Sequence, residues 1–167
     1  KMLEINSGGS LVLDPCVGKE EMLDVFYEQG KEIESIDIVD YGVHSKSNFA
    51  QQDFFALYGN KVNETVFGLM NHLPHDFYIA NPPYNCHETE YIQKNKSQLL
   101  GLFPDVGVAN MYAMFISSII NLAKEGAVIG LITLDSFLTA KMHEGLRRQI
   151  LRECSIHYLL LCPTDLF

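Results

Sequence analysis

What the chain has little of narrows its class first. Four cysteines (Cys16, Cys86, Cys154, Cys162) are scattered through 167 residues without a Cys-x-x-Cys pair. That excludes a zinc ribbon or dithiol motif and argues against a disulfide framework. They read as the reduced thiols of a cytoplasmic protein. No apolar run approaches the roughly 18 residues of a membrane span, because 127–134 is short and broken by Gly130. The opening KMLEINSGGS lacks the cationic-then-apolar layout of a signal peptide. No internal repeat is present. Basic residues are also scarce, with 12 Lys and Arg against 21 Asp and Glu, a net charge of −9. Phosphate contacts supply most of the affinity of a free-standing nucleic-acid binder. If this chain handles DNA or RNA, its main grip is local or lies in another region.

What is present has an ordinary globular balance, with 47% hydrophobic residues, and the length suits one domain. Apolar runs and turn residues predict strands at Leu11–Leu13, Ile33–Val39, Phe49–Phe55, Asp76–Ala80, Ala127–Leu134 and Ile156–Leu161. Helices are predicted over Glu20–Tyr27, Val62–Met70, Met111–Leu122 and Gly145–Leu151. Strands alternating with helices imply an α/β fold, a mostly parallel sheet covered on both faces. Two stretches break the rhythm. Asn85–Asn110 has weak periodicity and the polar run QKNKSQ, and reads as a long loop that, if the chain acts on DNA, orders only when DNA is bound. The chain also stops at Phe167 directly after an expected strand, and is read as a fragment of a longer polypeptide.

Ligands of open parallel sheets bind at the carboxyl ends of the strands. Here those ends carry Asp14, Asp37 or Asp40, Asp53, and the run Asn81-Pro82-Pro83-Tyr84. A single Asp at a strand end is most often a turn-former or cap; the ordered series is harder to ascribe to chance. The NPPY run is the strongest signal. Two prolines remove two N–H donors and fix two φ angles, so a rigid segment presents carbonyl oxygens without competing donors. Asn81 adds a side-chain acceptor. Such a set suits a planar amine that donates both its hydrogens, and Tyr84 offers a flat face for a base to stack on.

The order DPxxG, acidic strand end, QxDF, NPPY, then MYAMFISSIINLAKEGAVIGLIT, resembles the adenine-N6 DNA methyltransferases of bacterial restriction–modification systems. The likeness runs from Leu11 to Phe167. It implies a Rossmann-like, S-adenosylmethionine-dependent methyltransferase fold, with residues 1–167 as the catalytic domain and the target-recognition domain absent. It further implies that Asp14, Pro15 and Gly18 line the loop holding the methionine part of the cofactor. Asp37 would accept the ribose hydroxyls, with Asp40 as fallback. Asp53 would take the cofactor's adenine amino group with Phe54 beside the ring, and Asn81, Pro82, Pro83 and Tyr84 would hold the target adenine. The implied reaction is direct methyl transfer to a base flipped from the duplex. The implied partners are DNA, gripped through a recognition region outside this chain, and a restriction or specificity subunit; no membrane is involved.

One position departs from the pattern. The family loop reads D-P-x-x-G-x-G, and Glu20 stands where its second glycine is expected. A carboxylate there could repel or pair with a zwitterionic cofactor, so a degenerate, non-enzymatic module is one alternative. Because a carboxamide presents the same NH₂ as an aminopurine, RNA-adenine and protein-glutamine methyltransferases are others. Weaker candidates are His72, His75 and His87, whose spacing suggests no metal site. Lys94, Lys96, Lys141, Arg147, Arg148 and Arg152 could touch phosphates, or simply face solvent.

Overall fold

Alternating side chains build the sheet from its centre. In a computed structural model, which describes residues 1–65, 71–84 and 88–162, Val12 and Leu13 sit next to each other in β1 (Leu11–Asp14) yet join different cores. The same split separates Phe77 from Tyr78 in β4 (Phe77–Ala80), as the two-residue period of a strand requires. With β2 (Glu32–Asp37), β3 (Asn48–Gln51) and β5 (Val128–Leu131), these strands form a fully parallel sheet in the order β3-β2-β1-β4-β5. One face is covered by α1 (Met2–Ile5) and α2 (Asp24–Glu28). The other carries α3 (Phe54–Asn63), α4 (Glu88–Leu102) and α5 (Met111–Leu122). The α/β, Rossmann-like architecture expected from the sequence is the one observed.

Helix α5 is buried on nearly every side. Met114, Phe115, Ile119 and Leu122 join the core shared with the sheet and α3, Phe115 packing on Phe54 and Phe55, while Tyr112, Ala113, Ile116 and Ile120 join the cluster of α7 (Glu144–Glu153) with its Leu146. Between β5 and α7 lie α6 (Ser136–Thr139) and a 3-10 turn, Lys141–His143. Gly145 is required at the head of α7, because a Cβ there would lie 1.9 Å from the carbonyl oxygen of Asp105. Asp76 fixes how three strands begin. It accepts from the N–H groups of Ser10 and Leu11 at 2.7 and 3.1 Å and pairs with Lys124 at 2.7 Å. The Lys124 hydrogen bond first, then those two N–H groups, hold its carboxyl well below the ordinary value.

Several boundaries differ from the sequence reading, each for a local reason. The helix expected from Glu20 begins at Asp24, because Glu20 itself adopts a left-handed conformation. The third strand stops at Gln51, since Asp53 caps α3 with hydrogen bonds from the N–H groups of Phe55 and Ala56. Helix α3 ends at Asn63, so the helix expected over 62–70 overlaps it only at its start; residues 66–70 lie outside the described part. The expected loop 85–110 is mostly the helix α4, anchored by buried Leu99 and followed by buried Phe103. Its polar run faces solvent, and its apolar residues Tyr91, Ile92, Leu99 and Leu102 recur at helical spacing. Residues 85–87 lie outside the described part. The strand expected at Ile156–Leu161 does not form. Its backbone finds no ladder partner among the described residues, and Leu160 and Leu161 stand about three-quarters exposed, at 76% and 75%. Apolar composition does not make a strand without a neighbour to pair its N–H and C=O groups. No helix among the described residues is long and apolar enough to cross a membrane.

Candidate active site

The strand order reverses between β1 and β4, and the crevice at such a reversal is where open parallel sheets bind ligands. Asp14 ends β1 and Asn81 follows β4 directly, so the pairing of Leu13 with Tyr78 brings their exits together. Burial, then the charges of Asp14 and Asp37, raise the Cys16 pKa well above the thiol value, so this sulfur stays protonated.

Asp14 is almost wholly buried. One carboxylate oxygen accepts from the Cys16 N–H at 3.0 Å, and the other has no partner among the described residues. Burial pushes its pKa up to about 7; the Cys16 N–H opposes that rise and the charge of Asp37 adds to it. Pro15, also buried, offers no N–H. Gly18 has a φ of 56°, and a Cβ built on it would meet nothing within 4 Å, so space above the loop is open.

Asp37 is the residue that ends β2. Its Oδ2 accepts from the Gly18 N–H at 2.9 Å and its Oδ1 from the Val39 N–H at 3.0 Å. Asp40 lies three residues further out, exposed and bonded to the Gly42 N–H and to His44. Asp53 uses both oxygens. Oδ1 caps α3, and Oδ2 accepts from the Tyr91 hydroxyl of α4 at 2.6 Å. Burial, then this bond, raises the Tyr91 pKa. Phe54 points into the core, 3% exposed and stacked on Phe115 at 5.3 Å. Almost none of its ring is left to face a ligand.

At the β4 exit Pro82 is buried and Asn81 and Pro83 are exposed. The Tyr84 hydroxyl reaches both the Asn81 side-chain carbonyl and the Ile132 backbone oxygen, the latter at 2.7 Å. Burial pushes its pKa up to about 12, so it is a neutral donor. Its ring packs 6.1 Å from that of Tyr112.

The structure thus brings Asp14, Gly18, Asp37 and Asn81 to one crevice and sets Asp53 at the neighbouring strand exit. Tyr91 was missed by the sequence reading; the helical spacing of Tyr91, Ile92, Leu99 and Leu102 was the available signal. The weaker candidates have other partners. His75 bonds Glu34, and His72 bonds the Asn121 carbonyl. Arg147 donates to the carbonyls of Phe137 and Ala140, while Arg148, Arg152 and Lys94 pair with Glu144, Glu153 and Glu90. His87 lies outside the described residues.

Two solved structures share this fold. A Listeria monocytogenes protein described as a class I S-adenosylmethionine-dependent methyltransferase superposes with a TM-score of 0.58 at 17% identity, over 90% of this chain and 47% of that one. An S-adenosylmethionine-dependent methyltransferase of Agrobacterium tumefaciens gives 0.50 at 10% identity, over 89% and 46%. The chain therefore spans slightly less than half the length of each. Both are described as dependent on S-adenosylmethionine; in this chain a buried Asp14 oxygen lacks a partner among the described residues, and open space lies beside Gly18. Across residues 19–167 the sequence matches the pattern of the Eco57I restriction-modification methylase family, to which the chain belongs.

Proposed function

We propose that the chain is the catalytic part of a site-specific DNA methyltransferase acting on the N6 amine of an adenine flipped out of the duplex. The observation that carries this reading is the placement of Asn81-Pro82-Pro83-Tyr84 at the exit of β4, beside the Asp14 loop at the strand reversal. A sequence of acceptors without competing donors sits where the sheet presents ligands.

S-adenosylmethionine, when bound, supplies a methyl group on a positively charged sulfur. Asp14, Pro15 and Gly18 would hold its amino-acid end, Asp37 its ribose and Asp53 its adenine amino group. An oxygen of a carboxylate has more than one lone pair, so Asp53 Oδ2 can accept a second donor beside Tyr91. Phe54 contributes from inside the core, by fixing the first turn of α3.

An exocyclic amine is a poor nucleophile because its lone pair is delocalised into the ring. The Asn81 side chain and the Pro82 carbonyl would accept its two hydrogens, favour a pyramidal nitrogen and localise the lone pair. Catalysis is then positioning and electrostatic complementarity to developing charge, without a covalent nucleophile. Tyr84 has one hydroxyl proton and two acceptors within reach. When that proton turns to Ile132, the Asn81 carbonyl is released for the amine.

The net charge of −9 and the paired cations of α7 favour a duplex grip supplied by a recognition region outside residues 1–167. The test is transfer of labelled methyl groups by the full protein to duplex DNA, RNA and glutamine-bearing peptides, with the product nucleoside identified by mass spectrometry. N6-methyladenine in DNA is the expected product. N4-methylcytosine, or label in RNA or peptide alone, would overturn the reading.

A further inference from the structure

Glu20, the residue that breaks the glycine pattern, is built into the loop after β1, two residues beyond Gly18, rather than merely tolerated there. Among the described residues it is the non-glycine with a positive φ, 62°, a conformation that glycine adopts far more readily. It is also 1% exposed. Its carboxylate collects four donors from one segment. Oε2 accepts from the N–H groups of Ser45 and Lys46 at 2.9 and 3.0 Å. Oε1 accepts from the N–H and the hydroxyl of Ser47 at 3.0 and 2.6 Å. Burial alone would raise its pKa, but the Ser47 hydroxyl and the three N–H groups outweigh that and hold it below the ordinary carboxylate value. The Ser47 hydroxyl continues to the Ser35 hydroxyl of β2 at 2.6 Å, and the Lys46 ammonium pairs with Asp24 of α2.

A second carboxylate joins the same two loops in the opposite direction. Asp37, at the end of β2, accepts from Gly18 in the loop after β1. The loop after β1 and the loop after β2 are therefore cross-linked twice, once at the exit of β2 and once at Ser45–Ser47, which lead into β3. We infer that Glu20 is a positioning residue for S-adenosylmethionine, clasping 45–47 so that the loop after β2 is held against the Asp14–Gly18 loop before the cofactor arrives. The carboxylate is spent on that clasp and does not oppose the ligand. The inference rests on the cofactor, and is independent of which amine is methylated.

The test uses the full chain, with S-adenosylhomocysteine as the calorimetric probe and amide exchange of the unliganded protein as the structural readout. Glu20→Gly relieves the backbone and deletes the clasp. Exchange at Ser45, Lys46 and Ser47 is expected to quicken and the Kd to rise about tenfold or more, as for the loss of charge-assisted hydrogen bonds. At saturating cofactor, kcat should stay within about threefold, because a positioning residue for binding leaves the chemical step alone. Ser47→Ala, which removes one bond and keeps the fold, should raise the Kd in the same direction by about three- to fivefold. A Kd within twofold of the parent in both variants, whatever the exchange shows, would reduce Glu20 to a loop-stabilising residue and overturn the proposal. A parent chain that binds no S-adenosylhomocysteine would overturn the cofactor assignment and this inference together.

Discussion

Replacing Asp14 by Asn should make the free protein more stable and its cofactor complex weaker. The buried carboxyl has a pKa pushed from 3.8 up to about 7. The folded state therefore keeps a proton that the unfolded chain releases, and this group's contribution to stability falls as pH rises between those two values. Integrated, the penalty reaches about 4 kcal/mol above pH 7, and about 2–3 kcal/mol of it accrues between pH 5 and 8.5. Asn keeps an oxygen for the Cys16 N–H and carries no charge, so it removes the pH-dependent part. Denaturant unfolding of both proteins at pH 5 and 8.5 isolates the effect, because the other titrating groups cancel in the difference. The parent should lose more stability than Asp14→Asn across that interval. For the proposed binding of the cofactor's ammonium, the ionised form is required, so parent affinity should rise between pH 6 and 8 and the variant should bind more weakly throughout. Parallel stability profiles for the two proteins would refute the argument from burial. Equal affinity would refute the role given to the unpartnered oxygen.

Other substitutions test separate parts of the crevice and its scaffold. Asn81→Ala removes an exposed acceptor that the fold does not need; methyl transfer should fall by about 10²–10³ while calorimetric cofactor affinity stays within about twofold. Asp53→Ala deletes the cap of α3 and the acceptor of Tyr91, and should cost about 1–2 kcal/mol in denaturant unfolding as well as weakening the cofactor. Lost stability with unchanged affinity would leave Asp53 a cap and nothing more. Gly145→Ala places a methyl 1.9 Å from the Asp105 carbonyl oxygen, at the head of α7. It should destabilise by about 1–3 kcal/mol without altering affinity, and a neutral outcome would mean the 103–107 turn yields easily.

Local information determined much of this protein. The strands at Leu11, Ile33 and Asp76 and the helix Met111–Leu122 could be read directly, because their apolar residues pack against the layers next to them. The exits of β1 and β4 were legible too, since Asp14 ends an apolar run and Asn81 follows one directly, while the apolar Ile38 and Val39 after Asp37 left the exit of β2 open between Asp37 and Asp40. Four features depended on distant residues. The helix over 88–102 was hidden because its polar face outnumbers the few side chains that reach the core, and only Leu99 and Phe103 packing beneath α3 and α5 reveals why it forms. The apolar run 156–161 looked like a strand, but a strand is a property of a pair, and no described neighbour offers it a ladder. Phe54 next to Asp53 suggested a ligand contact, whereas the first turn of α3 carries its ring towards Phe115. Glu20 looked like a defect in a glycine loop. Its meaning lies with Ser45–Ser47, some twenty-five residues away in sequence, and hydrogen bonds over such a span exist only once the pairing of β1, β2 and β3 has brought the loop after β1 against the segment that leads into β3.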